Sequence, residues 1–181
     1  ASDTGYVMQS WDTDSFKKWW WVKQGFIENN FSNEAMIAGT FWEHRILDHL
    51  EIEGLEKDKQ IIIGRLRVNL DGNTKDTIYE VKTYSHEKGF KVPLSYKRQV
   101  NVEMYATGFR KAYIVAYGLI DEDYRNFYRP VDRERISLIP IHYDEDFISE
   151  YLPRLHYLER CLDEGRFPMK KDFLNETERE N

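Results

Sequence analysis

The sequence predicts an α/β fold: a small mixed central sheet with helices on its faces. Three observations predict it. Four β-branched or alternating runs, at 60–70, 77–84, 112–119 and 136–143, read as strands. Segments with helix-capping residues stand before, between and after them. The resulting order is helix, helix, strand, strand, helix, strand, strand, helix, with no internal repeat and no low-complexity linker. The chain of 181 residues suits a single domain, 1–181. Apolar residues at 41% and charged residues at 32% mark it as globular rather than disordered.

Each element has its own warrant. Residues 1–30 form an N-terminal helical segment, with a helix over 12–30 that starts at Asp12 or Asp14 as N-cap ahead of a Phe/Trp-rich run. The Trp19-Trp20-Trp21 run reads as core before it reads as a base-stacking surface. Residues 33–50 make a second helix, capped by Ser32 or Asn33. The run 60–70 is a strand, Asp71-Gly72-Asn73-Thr74 a turn, and 77–84 the second strand of a hairpin. Pro93 opens a helix and Gly108 ends it. Residues 112–119 form a buried strand, 121–135 a charged loop, and 136–143 an edge strand because of Pro140. Phe147, Tyr151, Leu155, Leu158 and Leu162 mark an amphipathic helix that Gly165 closes. The acidic stretch 170–181 is expected to fray.

The chemistry concentrates on the hairpin. Asp71 stands at the end of one strand, and Glu80 and Lys82 lie two apart on the next, so these two project from one face. Two carboxylates converging there make a hard oxygen site suited to Mg²⁺, with Mn²⁺ able to substitute. Lys82 beside them can orient or deprotonate a water, or hold a scissile phosphate. Together these are the parts of metal-assisted phosphodiester hydrolysis. The bare spacing is also common on solvated strand faces, and that alternative stays open at this level. What favours the site is the company of Ile78, Tyr79 and Val81, since a buried acid or lysine is costly without a partner.

Four motifs in order, GTFWE (39–43), NLDG (69–72), YEVKT (79–83) and YKRQVNVEMYATG (96–108), followed by the strand AYIVAY (112–117), resemble the PD-(D/E)xK nuclease superfamily in its lambda exonuclease-like, YqaJ-type viral recombinase branch. The resemblance implies a restriction-endonuclease-like core. It implies Asp71, Glu80 and the carbonyl of Val81 as metal ligands and Lys82 as the catalytic lysine. Glu43 would approach the metal or a second cation, and Gln99 would bind the attacking water or the scissile phosphate. Tyr96 and Glu103 lie three before and four after Gln99, near the same helix face. The implied activity is a Mg²⁺-dependent DNA exonuclease of phage or prophage recombination type, acting on linear duplex ends. An endonuclease of the same fold or an inactive DNA-binding relative are the alternatives. The implied partners are a single-strand annealing protein and further copies of the chain in a trimeric ring. Two departures stand out. Counting from Gly64, the wider superfamily would place its aspartate at Arg67, and the relatives' 5′-phosphate pocket uses an early arginine, whereas here none precedes Arg45.

Charge fits this expectation locally. The net charge of −6 argues against a simple polycationic nucleic-acid binder. Yet Lys88, Lys91, Lys97 and Arg98 cluster near the hairpin, so DNA contact is expected there together with Tyr96. The lone Cys161 excludes an internal disulfide framework and a multi-cysteine zinc site, reads as core, and points to a reducing cytoplasm. No secretory signal is visible, and no apolar run approaches the ~18 residues of a membrane helix. The five histidines share no metal-binding spacing.

Overall fold

The structure, a computed structural model, describes residues 1–181. The chain forms two compact units. One comprises residues 31–143 with Ala1; the other joins residues 2–30 to 144–181. No helix is long and apolar enough to cross a membrane.

The first unit is the predicted mixed α/β layout. Five strands lie in the order β1-β2-β3-β4-β5: Glu56–Ile63, Leu66–Asn73, Thr77–Ser85, Lys111–Leu119 and Ile136–Pro140. β3 and β4 are parallel and the other neighbours antiparallel. A parallel neighbour needs a crossover, and the helix Leu94–Thr107 supplies it. That helix starts after Pro93 and ends at Gly108 in the left-handed region, φ 76, where a side chain would be strained. The helix Glu34–His49 packs on the sheet through Ala38, Trp42, Ile46 and Leu47 against Val81, Val115, Tyr117 and Leu119. Asn33 caps it by accepting from the Met36 N–H at 2.9 Å.

Two expectations in this unit are corrected. The run 60–70 is not one strand. Gly64, φ 58, opens a two-residue hairpin loop inside it, so β1 and β2 are separate strands. Asp71 therefore lies within β2, and the turn to β3 falls at 74–76. The charged segment 121–135 is not a plain loop. It holds the short helix Asp121–Arg125 and a 3₁₀ turn at Arg133–Arg135.

The second unit contains the helices Thr4–Met8, Asp14–Lys23, Glu145–Glu164 and Lys170–Glu180. In chain order the seven α-helices are α1–α7, so α3 is Glu34–His49, α4 Leu94–Thr107 and α6 Glu145–Glu164. The single helix expected over 12–30 is shorter, because Thr13 caps α2 and Gly25, φ 82, follows its end. The aromatic run is divided: Trp20 is buried, Trp19 stacks on Tyr6 at 4.9 Å, and Trp21 is exposed. Trp11 stacks on Tyr157 at 5.2 Å, and Cys161 is buried on α6. Residues 170–180, expected to fray, form α7, where Glu176 bonds to Arg160 at 2.6 Å and to Arg166 at 3.1 Å.

Candidate active site

The site begins with an unusual sheet contact. β2 and β3 pair only at Gly72↔Tyr79 and Asn73↔Ile78. Continued by one step, that register sets Asp71 opposite Glu80. Like charges directly opposite destabilise a sheet, so this pairing is a cost that asks for a cause. Beyond it the backbone ladder stops, and the Val81 N–H donates to Asp71 Oδ2 at 2.8 Å. The aspartate occupies the place where a strand carbonyl would have accepted.

Glu80 and Lys82 project together from β3, as their spacing predicts. Lys82 Nζ lies 3.2 Å from Glu80 Oε1, with the two side chains only 18% and 5% exposed. From α4, Gln99 bridges them. Its Oε1 accepts from Lys82 Nζ at 3.0 Å, and its Nε2 donates to Glu80 Oε1 at 2.7 Å. The same Nε2 donates to Glu103 Oε1 at 3.1 Å. The Tyr96 ring lies beneath the Lys82 ammonium, 4.5 Å from its centroid. Glu43 reaches the cluster from α3 and is within hydrogen-bonding reach of Asp71, as Asp71 is of Glu80.

The electrostatics follow from crowding acids where water is scarce. Burial, then the charge of Glu43, pushes Asp71 up to about 7 against the pull of the Val81 N–H. Burial, then the charge of Asp71, pushes Glu80 up to about 7 as well. Burial first, helped by Glu80 and Asp71, lifts Glu103 well above the ordinary carboxylate range. Glu43 is raised by burial, partly offset by its bond to Asp71. Burial alone would lower Lys82, but the Glu80 and Asp71 carboxylates outweigh it and raise it. Lys82 is thus a held cation and a poor proton acceptor, which narrows the sequence reading that it orients or deprotonates a water.

Glu80 Oε2 is buried with no donor facing it. A buried anionic oxygen left open beside a second carboxylate matches what a hard divalent cation requires, so the residues present fit such an ion. A second, more exposed group adjoins it. Glu43, His44 and Asp58 present ligand atoms within 4.8 Å of one another, with His44 and Asp58 paired at 2.8 Å. Sequence spacing gave no hint of this group, because Asp58 comes from β1 and its role depends on strand register.

The structure therefore gathers Glu43, Asp71, Glu80, Val81, Lys82, Tyr96 and Gln99. Lys88, Lys91 and Lys97 stand exposed on the surface, with Arg98 partly buried. Arg67 does not enter the cluster. It is exposed near the hairpin loop and pairs across to Ile62, which leaves Asp71 as the acid of β2. Glu103 was visible in the sequence only as a neighbour of Gln99 on one helix face; its burial was not.

No family model matches the chain, and no curated protein matches it. Its fold recurs among solved structures. An alkaline exonuclease, LHK-Exo, from Laribacter hongkongensis matches with a TM-score of 0.67 at 19% identity, over 91% of this chain and 87% of that one. LHK-Exo in complex with dAMP matches at 0.65 and 20% over the same shares. A phage-related exonuclease from Haemophilus somnus 129PT matches at 0.63 and 18%, over 90% and 92%. At such identities the likeness is one of fold: a mixed sheet flanked by helices, shared along nearly the whole of each chain.

Proposed function

We propose that this chain is a metal-dependent DNA exonuclease that hydrolyses phosphodiester bonds from duplex ends. The observation that carries the reading is the convergence of Asp71, Glu80 and Lys82 around a buried carboxylate oxygen with no donor. The fold it shares with proteins described as exonucleases supports the choice of substrate. Asp71, Glu80 and the Val81 carbonyl would hold the ion, Mg²⁺ by preference and Mn²⁺ in its place, with Glu43 beside them. Bound there, the ion supplies Lewis acidity at the phosphoryl oxygen and a more acidic water. Lys82, kept protonated by its carboxylate neighbours, offers a fixed positive charge to the scissile phosphate. Tyr96 beneath the ammonium and Gln99 beside it keep that charge in place. Lys88, Lys91, Lys97 and Arg98 would meet the DNA backbone without reading bases.

The test uses a linear duplex with Mg²⁺ and compares the intact chain with Lys82→Ala. The expected loss is ~10²- to 10³-fold in kcat, the effect of removing one preorganised charge stabiliser. Equal absence of cleavage in both proteins would end the nuclease reading. A closed circular duplex should survive, and its cutting would move the assignment to an endonuclease.

A further inference from the structure

Glu103 is a buried acid to which the chemistry above gives no task. It is 1% exposed, the fourth of five consecutive buried residues of α4, Val100 to Met104. Its Oε1 accepts from Gln99 and its Oε2 has no partner. A polar group left half-satisfied in a core costs free energy, and an apolar side chain of the same volume would avoid that cost. The position therefore carries a polar residue for a reason other than packing.

Gln99 supplies the reason. Its amide makes three contacts: Oε1 with the Lys82 ammonium, and Nε2 with the carboxylates of Glu80 and Glu103. The last torsion of a glutamine is broad and two-fold, so the amide has no intrinsic preference for one face. A flipped amide would set its carbonyl oxygen against both carboxylates and its NH₂ against the ammonium. The contacts with Lys82 and Glu80 would become repulsive, and Glu103 Oε1 would lose the donor it now has. Without Glu103, Nε2 keeps one anchor instead of two, and that anchor is itself committed to Lys82 and to the proposed ion.

We propose that Glu103 is a positioning residue, which fixes the amide of Gln99 so that Lys82 and Glu80 hold their relative places. The catalytic consequence rests on the nuclease reading; the orientation of the amide does not. Acceptance by Oε1 needs a carbonyl-type oxygen at that point, and glutamine provides one, whereas methionine fills the space without it.

The test reads two quantities in three variants. In metal-free, ¹⁵N-labelled protein, hydrogen exchange of the Gln99 side-chain amide is followed by NMR. On linear duplex DNA, kcat and KM are separated. Glu103→Met is expected to speed amide exchange by at least ~10-fold and to lower kcat by ~10- to 100-fold with KM nearly unchanged, the scale of losing support behind a reacting group. Glu103→Gln is expected to restore both to within about threefold of wild type, a rescue that burial or charge alone would not produce. Glu103→Asp keeps the carboxyl group but withdraws the acceptor by one methylene, and decides the matter if the Met variant does not fold; it should behave as the Met variant is expected to. Wild-type exchange and kcat in the Met or Asp variant would overturn the proposal, and so would a Gln variant as impaired as Met. Should the wild-type chain fail to cut DNA, the nuclease reading falls, while the exchange rates still decide what Glu103 does.

Discussion

The first unit contains two sets of buried acids, and they are treated in opposite ways. Asp123 is 0% exposed, and each of its oxygens is met. Oδ1 accepts from Arg129 Nε at 3.2 Å; Oδ2 accepts from Arg135 Nη1 at 2.5 Å and from the Ile120 N–H at 3.0 Å. Arg135 also donates to the Gly118 carbonyl at 2.8 Å, and Arg45 donates to the carbonyls of Phe127 and Arg129. The whole segment 121–135 is tied down by guanidinium groups. Glu80 and Glu103 are as deeply buried, yet each keeps an oxygen with no donor, and one ammonium serves the group. A carboxylate matched oxygen by oxygen is scaffolding. Of the open carboxylates, Glu80 faces Asp71 where the proposed ion would sit, whereas Glu103 meets only the Gln99 amide.

The comparison can be broken most forcefully at Asp123. Asp123→Ala leaves two arginines facing an empty place, and the expected loss is ~3 to 5 kcal/mol of folding free energy, measured by urea denaturation. A loss under about 1 kcal/mol would mean that the segment is not held by this acid.

At the open cluster the opposite is expected. Glu80→Gln removes one of two facing acids, so the metal-free protein should melt at the same temperature or higher. Its affinity for Mn²⁺ by calorimetry should fall by at least ~10-fold. If this variant is destabilised as severely as Asp123→Ala and still binds Mn²⁺ normally, the two clusters are alike and the distinction fails.

The smallest effect is one of pH. Asp71 and Glu80 are raised from 3.8 and 4.5 to about 7 in the folded chain. Through that window the folded protein holds more protons than the unfolded one, so stability is full below it and drains away as pH rises. The metal-free melting temperature should drop by several degrees from about pH 5 to about pH 8, and saturating Mn²⁺ should remove most of the drop. A melting temperature that rises over the same range would contradict the crowding of acids described here.

Much of this was legible in the residues. The caps at Asn33 and Gly108 and the four- and three-residue steps of α6 gave those helices close to their observed bounds, because each signal is local. The Glu80–Lys82 pair was legible for the same reason, since alternation on one strand is a local property. The hairpin at Gly64 was hidden inside a continuous β-branched run, where one glycine looks like a strand residue. Glu103 was hidden for a different reason. α4 is buried nearly all round along Val100–Met104, so no polar face contrasts with an apolar one, and periodicity carries no signal. The closed cluster at Asp123 depends on Arg135, twelve residues on, and on an arginine stack over Tyr117, neither of which spacing reveals.

Each edge strand of the sheet carries a feature that disfavours extension over part of its length. β5 carries Pro140, which has no N–H to offer a neighbour. In β1 the pairing steps from Lys57↔Gly72 to Lys59↔Leu70, and Asp58 between them sits at φ 58 amid Glu56, Lys57 and Lys59. Such a kinked, charged border is a poor template for a further strand. Addition of a strand is disfavoured at the Pro140 end of β5 and along Glu56–Lys59 of β1, which leaves Gln60–Ile63 as the uncharged stretch of that edge.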